Sequence, residues 1–102
     1  MKIDKSQEGD TLNVKLTGRL DTNTAPKLEK ELESVLVGGS VNNLSFDFKN
    51  LEYISSAGLR VLLSAKKKMP EDSPGGVRVK NVSSNIKEVF DVTGFTDILT
   101  LE

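Results

Sequence analysis

The 102-residue sequence contains no cysteine and no histidine, and aromatic residues make up only 5% of it. Without cysteine the chain has no disulfide, no thiolate nucleophile and no thiolate metal site. Without histidine it cannot assemble a Ser-His-Asp or Cys-His catalytic site, and zinc, copper and haem lose their usual nitrogen ligand. We therefore expect no catalytic residues, no metal site and no cofactor in this chain.

The positive and negative charges nearly balance: the sequence has 14 Lys and Arg and 15 Asp and Glu, which gives a net charge of −1. This balance does not favour binding to nucleic acid or to an anionic membrane. No apolar run approaches the roughly 18 residues of a membrane span, and no secretory signal opens the chain. The sequence predicts a cytoplasmic protein with one domain over residues 1–102, monomeric when free.

Two short segments near the N-terminus predict a β-hairpin. Apolar residues alternate with polar ones over residues 12–16, which is the period of a strand. The turn-forming residues at 8–10 precede this segment, so residues 2–7 are expected to pair back on it. Gly18 is expected to end the strand.

Helices alternate with strands in the rest of the chain. Apolar residues recur with helical spacing between Thr24 and Gly38, from Leu59 to Met69 and between Ser83 and Gly94. Alternating apolar residues predict strands over residues 44–48 and 77–82, and the apolar residues within 98–101 predict a last short strand. The order ββαβαβαβ implies right-handed crossovers and parallel pairing after the hairpin. The sequence therefore predicts a small α/β domain, with a mixed sheet and helices packed on it.

Capping and breaking residues mark the helix ends. Asn23 or Thr24 is expected to cap the first helix, and Gly38 to stop it. Ser83 is expected to cap the third helix, which ends at Gly94.

The segment YISSAGLR, residues 53–60, lies where a strand passes into a helix, and its serines support three interpretations. Ser55 or Ser56 can be the N-cap of the helix. The spacing from Ile54 to Gly58 also resembles a nucleophile elbow, but the chain has no histidine to act as its base. Finally, a serine here can accept a phosphoryl group from another protein, which adds about −1.5 to −2 charge and disrupts docking to a surface fitted to a neutral hydroxyl.

Three blocks of the sequence resemble the STAS domain, and in particular its stand-alone bacterial anti-sigma factor antagonists. They are residues 16–21 (LTGRLD), 53–59 (YISSAGL) and 83–95 (SSNIKEVFDVTGF), in the family's order and spacing. The middle block is the most specific. The resemblance covers nearly the whole chain and implies a STAS-like fold over residues 1–102.

The resemblance implies a non-enzymatic partner switch. The unphosphorylated antagonist binds an anti-sigma factor that is also a serine kinase, which frees a sigma factor for transcription. The kinase then phosphorylates the antagonist on a serine and the complex dissociates, until a serine phosphatase resets it.

The family motif Asp-Ser-Ser/Thr-Gly-Leu, aligned on Gly58, places the phosphorylated serine at Ser56. Ser55 then stands where the family often has aspartate, and it is a rival acceptor.

The partner-binding surface is expected to include Asp21, Thr22, Ser55, Gly58 and Arg60. The first two match the family's strand-to-helix loop beside the phosphorylated serine. Gly58 is expected to let the partner approach closely, because it has no side chain.

Two alternatives remain. One is a STAS module that is not phosphorylated and serves for interaction or ligand sensing in a transport or stress-signalling complex; the serine before Ala57 and Gly58 counts against it. The other is a hydrolase, which the missing histidine disfavours.

Overall fold

The computed structural model describes residues 1–36, 41–69, 76–97 and 99–101. In chain order its elements are β1 (Lys2–Glu8), β2 (Thr11–Leu20), α1 (Ala25–Leu36), β3 (Asn43–Ile54), α2 (Ser56–Lys68), β4 (Gly76–Lys80), α3 (Ser84–Thr93), a 3-10 helix (Phe95–Asp97) and β5 (Thr100–Leu101). This order confirms the predicted ββαβαβαβ alternation, with the 3-10 helix added before the last strand. Within these residues, no helix is long and apolar enough to cross a membrane.

The strands form one sheet in the order β1-β2-β3-β4-β5. β1 pairs antiparallel with β2 as the predicted hairpin, and the other neighbours pair in parallel. Each parallel connection therefore moves one strand further in the same direction. Because such crossovers are right-handed, α1, α2 and α3 all lie on the same face of the sheet.

The helix-covered face of the sheet is apolar. Phe46 and Phe48 of β3 are fully buried there, and the ring of Phe48 lies 6.2 Å from that of Phe90 in α3. The opposite face carries Asp4, Lys15, Asp47 and Lys80 as register neighbours on four strands. The alternation that predicted the strands thus separates the core from a polar open face.

The prediction that Gly18 ends the second strand is wrong. Gly18 lies inside β2 with φ +106°, a value that glycine adopts readily, and the register with β3 shifts directly after it. Beyond this irregularity Arg19 pairs with Tyr53, and Leu20 with Ile54. The two strands therefore end together, which sets the position of both following loops.

The third helix has its predicted ends. Ser83 is its N-cap, and its Oγ accepts a hydrogen bond from the N–H of Ile86 at 3.4 Å. Gly94, with φ +81°, is its C-cap. The strand predicted over 77–82 ends earlier, at Lys80. Two residues used in the predictions, Gly38 and Ile98, lie outside the described residues.

Candidate functional site

The candidate site lies at the carboxyl ends of β2 and β3. There the N–H of Ser55 donates to the carbonyl of Leu20 at 2.9 Å, so the start of α2 is fixed beside the β2–α1 loop. Carboxyl ends of parallel strands are where open α/β sheets usually meet ligands and partners.

The two serines of the motif have different environments. Ser55 is the half-buried N-cap of α2, and its Oγ accepts a hydrogen bond from the N–H of Gly58 at 3.3 Å. Ser56 is the first residue of the helix and is exposed. Its hydroxyl makes no hydrogen bond to any residue that the structure describes. The Ser55 hydroxyl thus caps the helix, whereas the Ser56 hydroxyl is accessible to another protein.

The structure gives Gly58 a role in packing. This residue is buried, and a Cβ at this position would lie 2.7 Å from Cγ of Leu20 and 3.0 Å from Cγ1 of Ile54. The expected reason for a glycine here, close approach of another protein, is therefore corrected. The missing side chain allows α2 to pack closely on the ends of β2 and β3.

The Asp21 side chain organises the β2–α1 loop. Its Oδ1 accepts hydrogen bonds from the N–H groups of Asn23 and Thr24, at 3.0 and 3.1 Å. In return, the hydroxyl of Thr24 accepts from the N–H of Asp21 at 2.9 Å and donates to the carbonyl of Arg19 at 2.8 Å. Thr24, one of the two predicted caps, directly precedes α1, and its carbonyl accepts the N–H of Leu28 at 3.3 Å. The side chain that accepts N–H groups in the loop before the helix, however, is the carboxylate of Asp21.

These contacts also act on the charge of Asp21. Desolvation raises the pKa of its carboxyl group, but the hydrogen bonds from Thr24 and Asn23 and the charge of Arg19 outweigh it, so the pKa lies below its usual value. The carboxylate is therefore ionised and held in place at neutral pH.

A groove of about 440 Å³ separates the first turns of α1 and α2. The buried side chains of Ala25 and Val61 line it together with exposed Thr22, Glu29 and Arg60. The structure thus brings Thr22 and Arg60 to one groove. Arg60 also follows Ser56 by four residues, so the two side chains share one face of α2.

Sequence reasoning missed a pair of side chains beside this site. The guanidinium carbon of Arg19 lies 4.3 Å from the centre of the Tyr53 ring, and its Nε lies 3.9 Å from Oδ2 of Asp21. Tyr53 is 41% exposed. The sequence did contain a signal for Tyr53. Because neighbouring residues of a strand point to opposite faces and Ile54 is apolar, Tyr53 is expected on the face away from the core.

The start of α2 is suited to carry negative charge. The first N–H groups of a helix have no partner within it, and its dipole places a partial positive charge at this end. Ser56 stands at this end, and Arg60 adds a cation one turn later. Among the described residues, no group of three or more acidic side chains is placed to hold a metal ion.

Several known proteins with similar sequences are named as anti-sigma factor antagonists. The anti-sigma-B factor antagonist of Bacillus subtilis (strain 168) is 28% identical to this chain over 101 residues, which are 99% of this chain and 90% of the relative.

Solved structures share the fold. An anti-sigma factor antagonist from Mycobacterium paratuberculosis superposes with a TM-score of 0.86 at 23% identity, over 98% of this chain and 83% of that one. SpoIIAA matches in its unphosphorylated form (TM-score 0.78, 18% identity, 99% and 87% covered). The phosphorylated form of this Bacillus cell fate determinant matches equally well (TM-score 0.77, 19% identity, 99% and 91% covered). The STAS domain family matches residues 2–102, and the chain belongs to this family.

Proposed function

We propose that this protein is an anti-sigma factor antagonist that is switched off by phosphorylation of Ser56. In the unphosphorylated state it binds an anti-sigma factor that is also a serine kinase, and this releases a sigma factor for transcription. A serine phosphatase restores the binding state. The observation that carries the proposal is the exposed hydroxyl of Ser56, free of hydrogen bonds to the described residues, at the start of α2.

The relatives support the regulatory role. The Bacillus subtilis relative is named an anti-sigma-B factor antagonist. SpoIIAA, named an anti-sigma factor antagonist, has this fold in its unphosphorylated and its phosphorylated form. A phosphate is therefore compatible with the fold. A partner that consumes ATP and holds a sigma factor also implies that the protein acts in the cytoplasm.

The geometry favours Ser56 over Ser55 as the acceptor. A phosphate on Ser55 would disturb the hydrogen bond from Gly58 that caps α2, and loss of such a cap costs about 1 kcal/mol. A phosphate on Ser56 would lie at the positive end of the helix dipole, within one turn of Arg60. The fold would keep its stability, and only the outer surface would change.

That surface explains the switch. We assign docking to Thr22, Ser55, Ser56 and Arg60, with the loop held by Asp21 beside them. Gly58 supports this surface from below, by seating α2 on the strand ends. A partner that covers the neutral Ser56 hydroxyl would have to desolvate a phosphate after modification. An unpaired buried charge costs about 2–5 kcal/mol at an interface, so phosphorylation should weaken binding by at least about 30-fold.

The test is a phosphorylation assay with ATP and an anti-sigma factor of the serine-kinase class from the same organism, with mass spectrometry as the readout. Wild type should gain one phosphate, and Ser56→Ala none. Ser84→Ala is the matched control, because Ser84 is also the exposed first residue of a helix behind a capping serine. It should be phosphorylated as wild type is.

Two results would contradict the proposal. A phosphate that persists in Ser56→Ala would move the acceptor elsewhere, with Ser55 as the first candidate. Absence of both phosphate and binding in wild type would favour the STAS module without phosphorylation.

A further inference from the structure

The Arg19–Tyr53 pair, formed by the stacked side chains of these two residues, is an exposed feature that the proposed switch does not use. Arg19 of β2 and Tyr53 of β3 are register partners, and the guanidinium carbon lies 4.3 Å from the ring centre. The Arg19 side chain is 59% exposed. Tyr53 and Val92 are the two exposed large apolar residues in the described part of the chain.

The guanidinium group is held but retains free donors. Tyr53 supports one face of it, and Asp21 stands 3.9 Å from its Nε. Within the described residues its N–H groups make no hydrogen bond, nor does the hydroxyl of Tyr53. Arginine presents its donors as a planar fork that matches the two oxygens of a carboxylate. Two contacts therefore position the guanidinium group, and donors are left for a ligand.

The pair is close to the proposed phosphorylation site. Tyr53 precedes Ser56 by three residues, so their Cα atoms are at most about 11 Å apart. On the other strand, Arg19 is followed by Leu20, whose carbonyl accepts the N–H of Ser55. An interface of ordinary size, about 800 Å² on each partner, is large enough to include both Ser56 and this pair.

We propose that the Arg19–Tyr53 pair anchors the anti-sigma factor by binding one of its carboxylate side chains, with the Tyr53 ring packed against an adjacent apolar residue of that partner. This inference rests on the proposed function and adds the chemistry of recognition. Arginine and tyrosine dominate the energetics of many protein interfaces. A stacked arginine also loses little side-chain freedom on binding, so more of the contact energy becomes affinity.

Other occupants fit the pair less well. The net charge of −1 and the neighbouring Asp21 carboxylate disfavour nucleic acid. A second copy of this chain, paired with the Arg19–Tyr53 pair on the two-fold axis, would bring like guanidinium charges opposite each other.

The test measures affinity of the unphosphorylated protein for the same anti-sigma factor kinase. Arg19→Ala and Tyr53→Ala should each weaken binding by about 30-fold or more, the loss typical of an interface hot spot. Arg19→Lys keeps the charge without the fork and should lose part of the affinity. Tyr53→Phe keeps the ring and should bind as wild type does.

Val92→Ala is the matched control, because it also shortens an exposed apolar side chain. Val92 lies near the end of α3, which runs back from the carboxyl edge of the sheet, and its substitution should leave binding unchanged. Urea unfolding of each variant shows whether a loss of binding comes from the fold. If Tyr53→Ala unfolds, Arg19→Lys and Tyr53→Phe carry the test.

Two further measurements address the mode of recognition. In the phosphorylation assay the KM for Arg19→Ala should rise while kcat stays constant, because the pair docks the kinase without touching the reacting atoms. Arg19→Glu should abolish binding, and lysine in place of one acidic residue of the anti-sigma factor should restore it.

The outcomes separate this inference from the proposed function. If wild type binds and is phosphorylated, but Arg19→Ala and Tyr53→Ala bind equally well, the anchor is wrong and the switch stands. If no lysine substitution restores Arg19→Glu, the carboxylate partner is wrong. Absence of binding in wild type overturns both. Concentration-dependent dimers that Tyr53→Ala abolishes, in place of kinase binding, would assign the pair to self-association.

Discussion

Two helices of this protein, α2 and α3, begin in the same way. Each begins at a Ser-Ser pair whose first serine is the N-cap. The hydroxyl oxygen of this serine accepts the N–H three residues later: Ser55 from Gly58 at 3.3 Å, and Ser83 from Ile86 at 3.4 Å. In both helices the second serine is the exposed first helical residue. A serine at a helix start therefore does not by itself distinguish the proposed phosphorylation site.

The surroundings of the two helices differ. The start of α2 lies beside the loop held by Asp21, the stacked Arg19 and Tyr53, and the groove that contains Arg60. The start of α3 follows a turn at Asn81, whose side-chain amide donates to a carboxylate of the sheet at 2.9 Å. The proposed partner specificity therefore arises from side chains that the fold brings to α2, and the capping motif supplies only the accessible hydroxyl.

The largest expected effects come from substituting Gly58 and Ile86, the residues whose N–H groups donate to the capping serines. Ile86 is a buried core residue, so Ile86→Ala should leave a cavity and reduce the free energy of unfolding by about 2–5 kcal/mol. Gly58→Ala should be destabilising for the opposite reason, by about 1–3 kcal/mol, because its Cβ would lie 2.7 Å from a carbon of Leu20. Urea unfolding measures both.

A Gly58→Ala protein of wild-type stability would contradict this role of the glycine. It would also reopen the interpretation that Gly58 serves the approach of a partner. Because Gly58→Ala displaces α2 from the strand ends, it should weaken partner binding as well. Ile86→Ala should leave binding unchanged at temperatures where the variant is folded.

Much of the fold follows from local patterns in the sequence. Alternating residues predict the strands that carry Val14 and Phe46, and the capping residues Ser83 and Gly94 mark the ends of α3 as the structure has them. These features depend on neighbours within a few positions along the chain, so periodicity and capping preference are sufficient to find them.

The features that the sequence did not predict depend on contacts between distant segments. β2 continues past Gly18 because β3 pairs with it beyond the register shift. Gly58 is buried because Leu20, far away in the sequence, lies under α2. Tyr53 gains its significance from Arg19 on the neighbouring strand. Such contacts require the register of the sheet, which a single sequence does not provide.

The capping serines should make equal contributions to stability. Ser55→Ala and Ser83→Ala should each reduce the free energy of unfolding by about 1 kcal/mol, because each leaves a helix N–H group without its acceptor. Ser56→Ala and Ser84→Ala should stay within about 0.5 kcal/mol of wild type, as exposed residues outside these contacts do. Urea unfolding of the four variants measures this.

Of these four variants, only Ser56→Ala should abolish phosphorylation. Ser55→Ala should still be phosphorylated on Ser56, and Ser83→Ala should behave as wild type in the kinase assay. A Ser56→Ala protein as destabilised as Ser55→Ala would show that Ser56 has a structural role, and the distinction between the two serines would fail.

The smallest expected effect is the acid sensitivity of the carboxylates that hold the two neighbouring loops. The pKa of Asp47, like that of Asp21, lies below its usual value. Desolvation raises the pKa of Asp47, but the hydrogen bonds from Asn81 and Lys49 and the charges of nearby lysines lower it by more. Because both pKa values are lower in the folded state, the unfolded chain binds more protons in acid. The stabilisation is thus complete above the ordinary aspartate pKa and is lost as the pH falls through the lowered values.

Asp21→Asn and Asp47→Asn should therefore each make the free energy of unfolding less dependent on pH between about pH 5 and pH 2. Urea unfolding across this range measures the slope, and a variant with the slope of wild type would show that the carboxylate does not contribute. At neutral pH, Asp21→Asn should also weaken binding of the anti-sigma factor, because it loosens the loop beside Ser56 and removes the charge next to Arg19. Asp47→Asn should bind as wild type does, since Asp47 holds the turn before α3. Equal binding losses in the two variants would mean that the starts of α2 and α3 contribute alike to docking.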